Sequence, residues 1–129
     1  MKIKQIYARQ ILNSKGYPTV ETTVVLENGI SASSSSPSGT SVGKYEVVER
    51  KDNDFEKFNG YGVLKAINNV VSVIGPKLIG QEVENQSQID KIMIELDGGA
   101  EKSNLGANAI LSVSMAVAKA ASKSLDMPL

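Results

Sequence analysis

From Thr19 to Glu27 the chain alternates its side chains in the manner of a strand. Val20, Thr22, Val24 and Leu26 fall on one face, and Thr19, Glu21, Thr23 and Val25 on the other. Residues 2–12 before it mix Ile3, Ile6, Tyr7, Ile11 and Leu12 with polar residues, a second strand pattern. Asn13-Ser14-Lys15-Gly16-Tyr17-Pro18 separates the two and is dense in turn formers. Asn28-Gly29 is a strong hairpin signal, and a third short strand over 30–35 completes the pattern. The first third therefore predicts a three-stranded antiparallel meander with one face to be covered.

The second half changes period. Val63, Ile67, Val70, Val71 and Ile74 recur at helical spacing and predict a one-faced helix, kinked or interrupted at Gly75-Pro76, with Gly80 able to cap its end. Asn85-Gln86-Ser87-Gln88 has the form of a capping box ahead of Ile89, Ile92, Met93 and Leu96, and Asp97-Gly98-Gly99 ends that helix. A last helix runs from near Gly106 to about Leu125, roughly 30 Å at 1.5 Å per residue. Ala, Val and Leu cover most of its circumference, which suits a central helix packed on several sides at close distance. Between the halves, residues 36–62 hold a Gly/Ser-rich loop and a charged, poorly periodic stretch, expected to be irregular and mostly at the surface. The whole, residues 1–129, reads as a single α+β domain: a meander followed by a helical bundle.

Composition narrows the chemistry. Fourteen basic and fourteen acidic residues cancel. No basic field draws nucleic acid, no polybasic run holds a membrane, and no net charge opposes self-association. The sequence has no Cys and no His. Thiolate chemistry and the usual neutral-pH proton shuttle are therefore excluded from this chain, and a cytoplasmic setting is the expectation. Glu46, Glu49, Asp52 and Asp54 alternate with Arg50, Lys51 and Lys57, the pattern of a solvated charged stretch rather than a ligand set. Asp126-Met127-Pro128-Leu129 reads as a join to a further element.

Pro37-Ser38-Gly39-Thr40-Ser41-Val42-Gly43 concentrates two glycines and three hydroxyls in seven positions. It fails as a phosphate loop: Gly39 and Gly43 enclose three residues instead of four, and Tyr45 follows Lys44. Two readings of the residues remain, a solvated linker and a lid with Gly39 and Gly43 as hinges and Ser38, Thr40 and Ser41 as oxygen donors.

Three motifs in register resemble the enolase family along nearly the whole chain. Tyr7-Ala8-Arg9 through Asn13-Ser14-Lys15-Gly16-Tyr17-Pro18-Thr19-Val20-Glu21 looks like A-R-x-x-x-D-S-R-G-N-P-T-V-E. Pro37 to Gly43 looks like P-S-G-A-S-T-G. Leu96-Asp97-Gly98 with Lys102-Ser103-Asn104-Leu105-Gly106-Ala107-Asn108-Ala109-Ile110-Leu111 looks like L-D-G…N-K-S-x-L-G-A-N-A-I-L. The resemblance implies the N-terminal domain of that family, with the larger barrel domain absent and no catalytic residue in this chain. It implies that the full-length protein, a lyase of glycolysis, dehydrates 2-phosphoglycerate to phosphoenolpyruvate with two Mg2+ per site. Ser41 is implied as a ligand of the second Mg2+, on a lid of Ser38, Gly39, Thr40, Ser41, Val42 and Gly43. Arg9 and Glu21 are implied in a homodimer interface, and the domain's own C-terminal barrel and a phosphorylated small molecule are the implied partners.

The chain departs from the pattern at Asn13, Lys15 and Tyr17, where the family has Asp, Arg and Asn. It departs at Thr40 and Val42 beside Ser41, and at Lys51, where the family has Arg. Lysine does not reproduce a planar bidentate guanidinium contact. The other reading is a divergent stand-alone module that acts through protein contacts without catalysis.

Overall fold

A computed structural model of the chain describes residues 1–37 and 46–129. Strands β1 (Ile3–Leu12), β2 (Pro18–Leu26) and β3 (Ser31–Ser35) form an open antiparallel sheet in the order β1-β2-β3. Helices α1 (Leu64–Asn69), α2 (Gly75–Leu78), α3 (Gln86–Asp97) and α4 (Ala107–Ser124) follow, and α4 lies on β2 and β3. This is the expected α+β architecture of meander and helices, with no closed barrel among the described residues.

A strand period of two would put Ile3 and Ile6 on opposite faces, yet both are buried. The register shifts between Ile3 and Gln5, so Lys4 is an extra residue and both isoleucines point inward. The predicted inward face of β2 holds: Val20, Thr22, Val24 and Leu26 are fully buried. They meet Ala109, Val113, Ala116, Val117 and Ala120 of α4, whose small side chains let helix and sheet approach closely. The uncovered face keeps Tyr7 and Arg9 exposed.

The first helix departs from expectation in an informative way. Its buried line is Ala66, Val70, Ile74 and Leu78, while Val71 is exposed. Residues four apart drift by about 40° per step on an α-helix. Here α1 passes into a π-helical stretch, Val70–Ile74, before α2, and the wider turn keeps the four-residue stripe facing the core. The Gly75 N–H reaches back to the Val70 carbonyl. The widening comes one residue before Pro76, which has no N–H to give. A Cβ on Gly75 would stand 3.2 Å from the Val70 oxygen, a tight approach to the carbonyl that its own N–H bonds. Gly80 follows the helix end at φ +88°, as expected, and its N–H bonds the Ile3 carbonyl at 2.8 Å.

Helix α3 starts at the expected place, but the capping box does not close. Asn85 makes no side-chain cap bond. The Gln86 amide reaches Asp90 Oδ1 within α3 at 3.1 Å and Ser114 of α4 at 3.0 Å, a polar tie between the two helices. Gly98 ends α3 at φ +74°. The terminal amine of Met1 bonds Glu82 at 2.8 Å and Glu84 at 3.2 Å. These contacts tie the chain start to the segment between α2 and α3.

Candidate functional site

The residues predicted to carry chemistry, Ser38, Gly39, Thr40, Ser41, Val42 and Gly43, lie outside the described residues. What the structure shows is the framework on either side. On the leading side the pairing of β3 with β2 runs on to Ser36, whose N–H donates to the Val20 carbonyl at 2.9 Å. The Thr19 hydroxyl donates to the Ser36 carbonyl at 2.5 Å, and both residues are buried. Pro37 is thus the first residue beyond a doubly tethered strand end.

Beside it stands the turn between β1 and β2. Asn13 Oδ1 accepts the N–H groups of Lys15 at 2.9 Å and Tyr17 at 3.0 Å, and Gly16 adopts φ +78°. An amide oxygen serves this turn as a carboxylate oxygen would, so the Asn13 departure keeps the loop geometry. A cleft of about 390 Å³ opens between the turn and the strand end, lined by Asn13, Ser14, Lys15, Ser36 and Pro37.

On the trailing side the charged stretch is irregular, as expected, but it is anchored rather than merely solvated. The Val48 carbonyl accepts the Ala107 N–H at 2.7 Å, at the start of α4. The buried Asn108 holds both backbone groups of Arg50: its Oδ1 accepts the N–H at 2.8 Å, and its Nδ2 donates to the carbonyl at 3.0 Å. Gly106 has φ +100°, and a Cβ there would fall 2.4 Å from Cβ of Arg50. No side chain fits that position.

Asp97, at the end of α3, organises the approach to Gly106. Its carboxylate accepts the Leu105 N–H at 2.7 Å and the Gly99 N–H at 3.1 Å. Asp52, read from the sequence as solvated charge, accepts the N–H groups of Leu64 at 2.9 Å and Lys65 at 2.7 Å, so it caps α1 from outside the helix. A Cβ on Gly62 would stand 2.8 Å from Asp52 Oδ2. Asp52, Asp97 and Asn108 carry these roles across the fold. Their residue types alone did not single them out; Asn108 entered only as a letter of the third motif, and Asp97 as that and as part of a helix stop.

Two departures meet in space. Lys51 Nζ sits 4.4 Å from the ring centre of Tyr61, and the Tyr17 ring lies 4.9 Å from the same ring. Arg9 and Glu21 face each other across β1 and β2, Nε to Oε1 at 2.6 Å, with Arg9 largely exposed on the uncovered sheet face. Among the described residues no group of three or more acidic side chains is placed to hold a metal. No helix among them is long and apolar enough to cross a membrane.

The family model for the enolase N-terminal domain matches residues 3–129. Enolase of Ehrlichia canis (strain Jake) is 52% identical over 127 residues, covering 98% of this chain and 30% of that protein. Enolase of Ehrlichia ruminantium (strain Gardel) is 52% identical over 129 residues, all of this chain and 31% of that protein. Enolase of Ehrlichia chaffeensis is 51% identical over 127 residues. The chain thus spans about 30% of the length of the curated relatives it matches. With the matched range taking in the β1–β2 turn, both anchored stems and the loop that ends at Gly106, this chain belongs to the enolase family as its N-terminal domain.

Proposed function

We propose that the chain is the N-terminal part of a cytoplasmic enolase that converts 2-phosphoglycerate to phosphoenolpyruvate and water. The reaction takes the C2 proton and expels hydroxide from C3, and both steps belong to residues of a barrel domain that this chain does not span. This chain supplies the lid, with Ser41 presenting its hydroxyl and carbonyl oxygens to the second Mg2+ and Gly39 and Gly43 as hinges. A single serine is a partial shell for an ion that prefers octahedral oxygen coordination, so the fit requires carboxylates from the barrel. Mg2+, when bound, neutralises charge on a substrate that carries both phosphate and carboxylate.

The observation that carries this reading is the pair of anchored stems. Thr19 fixes Ser36, and Asn108 fixes Arg50. Anchoring both ends shortens the stretch that has to be ordered when the lid closes and presents its oxygen. Arg9, exposed beside Glu21, is the proposed contact to a second subunit in the full-length homodimer.

The test is a fusion of this chain to the complementary part of Ehrlichia canis enolase. The fusion forms phosphoenolpyruvate, while the unfused chain forms none. Ser41→Ala in the fusion raises the Mg2+ concentration needed for activity and lowers kcat by roughly tenfold or more, the scale of losing one electrostatic contact. Kinetics identical to the parent fusion at every Mg2+ concentration remove Ser41 from the role.

A further inference from the structure

Each flank of positions 38–45 is fixed by its own long-range tether: Ser36 by Thr19, and Arg50 by Asn108. A row of side chains runs between the two tethers. Tyr17 stands two residues before Thr19, and Lys51 directly follows Arg50. Between them lies the Tyr61 ring. Its centre is 4.9 Å from that of Tyr17, with the planes inclined at 42°, and 4.4 Å from Lys51 Nζ. Both distances fall where an aromatic pair, and a cation over a ring, attract. Tyr17 and Lys51 both depart from the enolase pattern, which has Asn and Arg there, and both meet the same ring.

Each member of the row sits on fixed backbone. The Tyr17 N–H donates to Asn13 Oδ1 at 3.0 Å, and the Tyr17 carbonyl accepts the Asn13 N–H at 2.7 Å. The Tyr61 N–H donates to the Phe58 carbonyl at 3.0 Å. On either side of it, the Gly60 carbonyl accepts the Asn53 N–H at 3.1 Å and the Gly62 carbonyl accepts the Asp52 N–H at 2.8 Å. Val63, two residues on, donates to Gln10 Oε1 of β1 at 3.1 Å. Lys51 lies between Arg50, whose N–H and carbonyl Asn108 holds, and Asp52, which is bonded to Gly62. Coupling between separated sites travels through such rows of packed side chains on rigid supports.

We propose that Lys51, Tyr61 and Tyr17 form a strut that makes the Ser36 and Arg50 flanks loosen and tighten as one unit, with Tyr61 as the positioning residue at its centre. The strut joins residues of the two flanks themselves, so the proposal does not rest on the enolase function.

Amide hydrogen exchange on the 129-residue chain tests it. The Ser36 N–H, bonded to the Val20 carbonyl, reports the leading flank, and the Arg50 N–H, bonded to Asn108, reports the trailing one. Each substitution is read at the far flank. Tyr17→Asn is expected to quicken exchange at Arg50, and Lys51→Ala at Ser36, each by roughly threefold or more, the scale of losing one such contact. Tyr61→Leu quickens both. Lys51→Arg and Tyr61→Phe keep the cation and the ring, and exchange like the parent. In the Tyr61→Leu background Tyr17→Asn adds nothing at Arg50, since the path is already cut. A far flank that keeps the parent rate in either single variant overturns the proposal, because coupling of this kind is reciprocal. So does a Tyr17→Asn effect at Arg50 that persists in Tyr61→Leu, or a uniform quickening that includes the core amides of Val24 and Val113. Should Tyr17→Asn lose its far-ultraviolet circular dichroism, Tyr17→Leu, which keeps an apolar side chain in the turn, decides by the same reading at Arg50.

Discussion

Asp52 acts on a helix that does not contain it. Its two carboxylate oxygens take the first amides of α1, where Val63 at the N-cap position has no side-chain acceptor of its own. Asp52→Ala is expected to lower stability by about 1–2 kcal/mol in urea unfolding, and Asp52→Asn by less, since one acceptor oxygen remains. A loss within a few tenths of a kcal/mol for Asp52→Ala refutes the capping role. The Met1 amine gives a pH prediction at the same scale. The hydrogen bond to Glu82, then that to Glu84, holds the amine above its usual value, and the amine in turn holds Glu82 below the usual carboxylate value. The amine's contribution is complete below its unfolded pKa and fades as pH rises through its raised value. That of Glu82 is complete above its unfolded pKa and fades as pH falls through its lowered value. The contact is therefore tightest across the neutral range. The Val83 N–H, bonded to the Met1 carbonyl at 2.9 Å, reports it. After correction for intrinsic rates, its exchange is expected to quicken at both the acidic and the alkaline end; a flat profile refutes the link.

Between elements, one buried polar pair sits where the sheet meets α4. Ser112 donates its single hydroxyl proton to the Ala109 carbonyl at 2.9 Å, so Thr22 of β2 donates to Ser112 at 2.8 Å. Both residues are fully buried. Ser112→Ala strands the Thr22 hydroxyl and is expected to cost about 1–3 kcal/mol. Adding Thr22→Val should return most of that loss, because the stranded donor is then gone. If the two losses simply add, the hydroxyls are not coupled in the way drawn here. The helices teach a related lesson about spacing. Val63, Ile67, Val70, Val71 and Ile74 announce a helix, but the stripe that is buried runs Ala66, Val70, Ile74, Leu78. The π-helical widening before Pro76 selected it, and no count made at 3.6 residues per turn contains that widening.

At the scale of the molecule, long-range hydrogen bonds fix the residues on both flanks of positions 38–45. Its own metal-binding capacity is expected to be small. Adding Mg2+ to the chain alone should leave Tm unchanged, because a ligand stabilises a fold only in proportion to its occupancy of the native state. A clear upward shift would mean that the chain builds a full site by itself. The meander, its turns at Asn13–Pro18 and Asn28-Gly29, and the existence of the helical segments were legible in the sequence. Alternation, turn chemistry and helical periodicity are local properties, set by neighbours along the chain. The family, too, could be read from three ordered motifs. The tethers could not. Asp52 looked like one charge among several until the fold brought the first turn of α1 beneath it. Asn108 looked like a polar letter inside an apolar helix until Arg50 came to lie across it. Gly106 looked like a helix boundary until Arg50 left no room for a Cβ. The sequence by itself determined the elements, their order and the family; only the tertiary structure decided which polar groups hold the loop stems and which helix face is buried. Those choices depend on contacts between residues far apart in the chain, and a hydrogen bond that spans 58 positions, as from Arg50 to Asn108, leaves no periodic trace in the sequence.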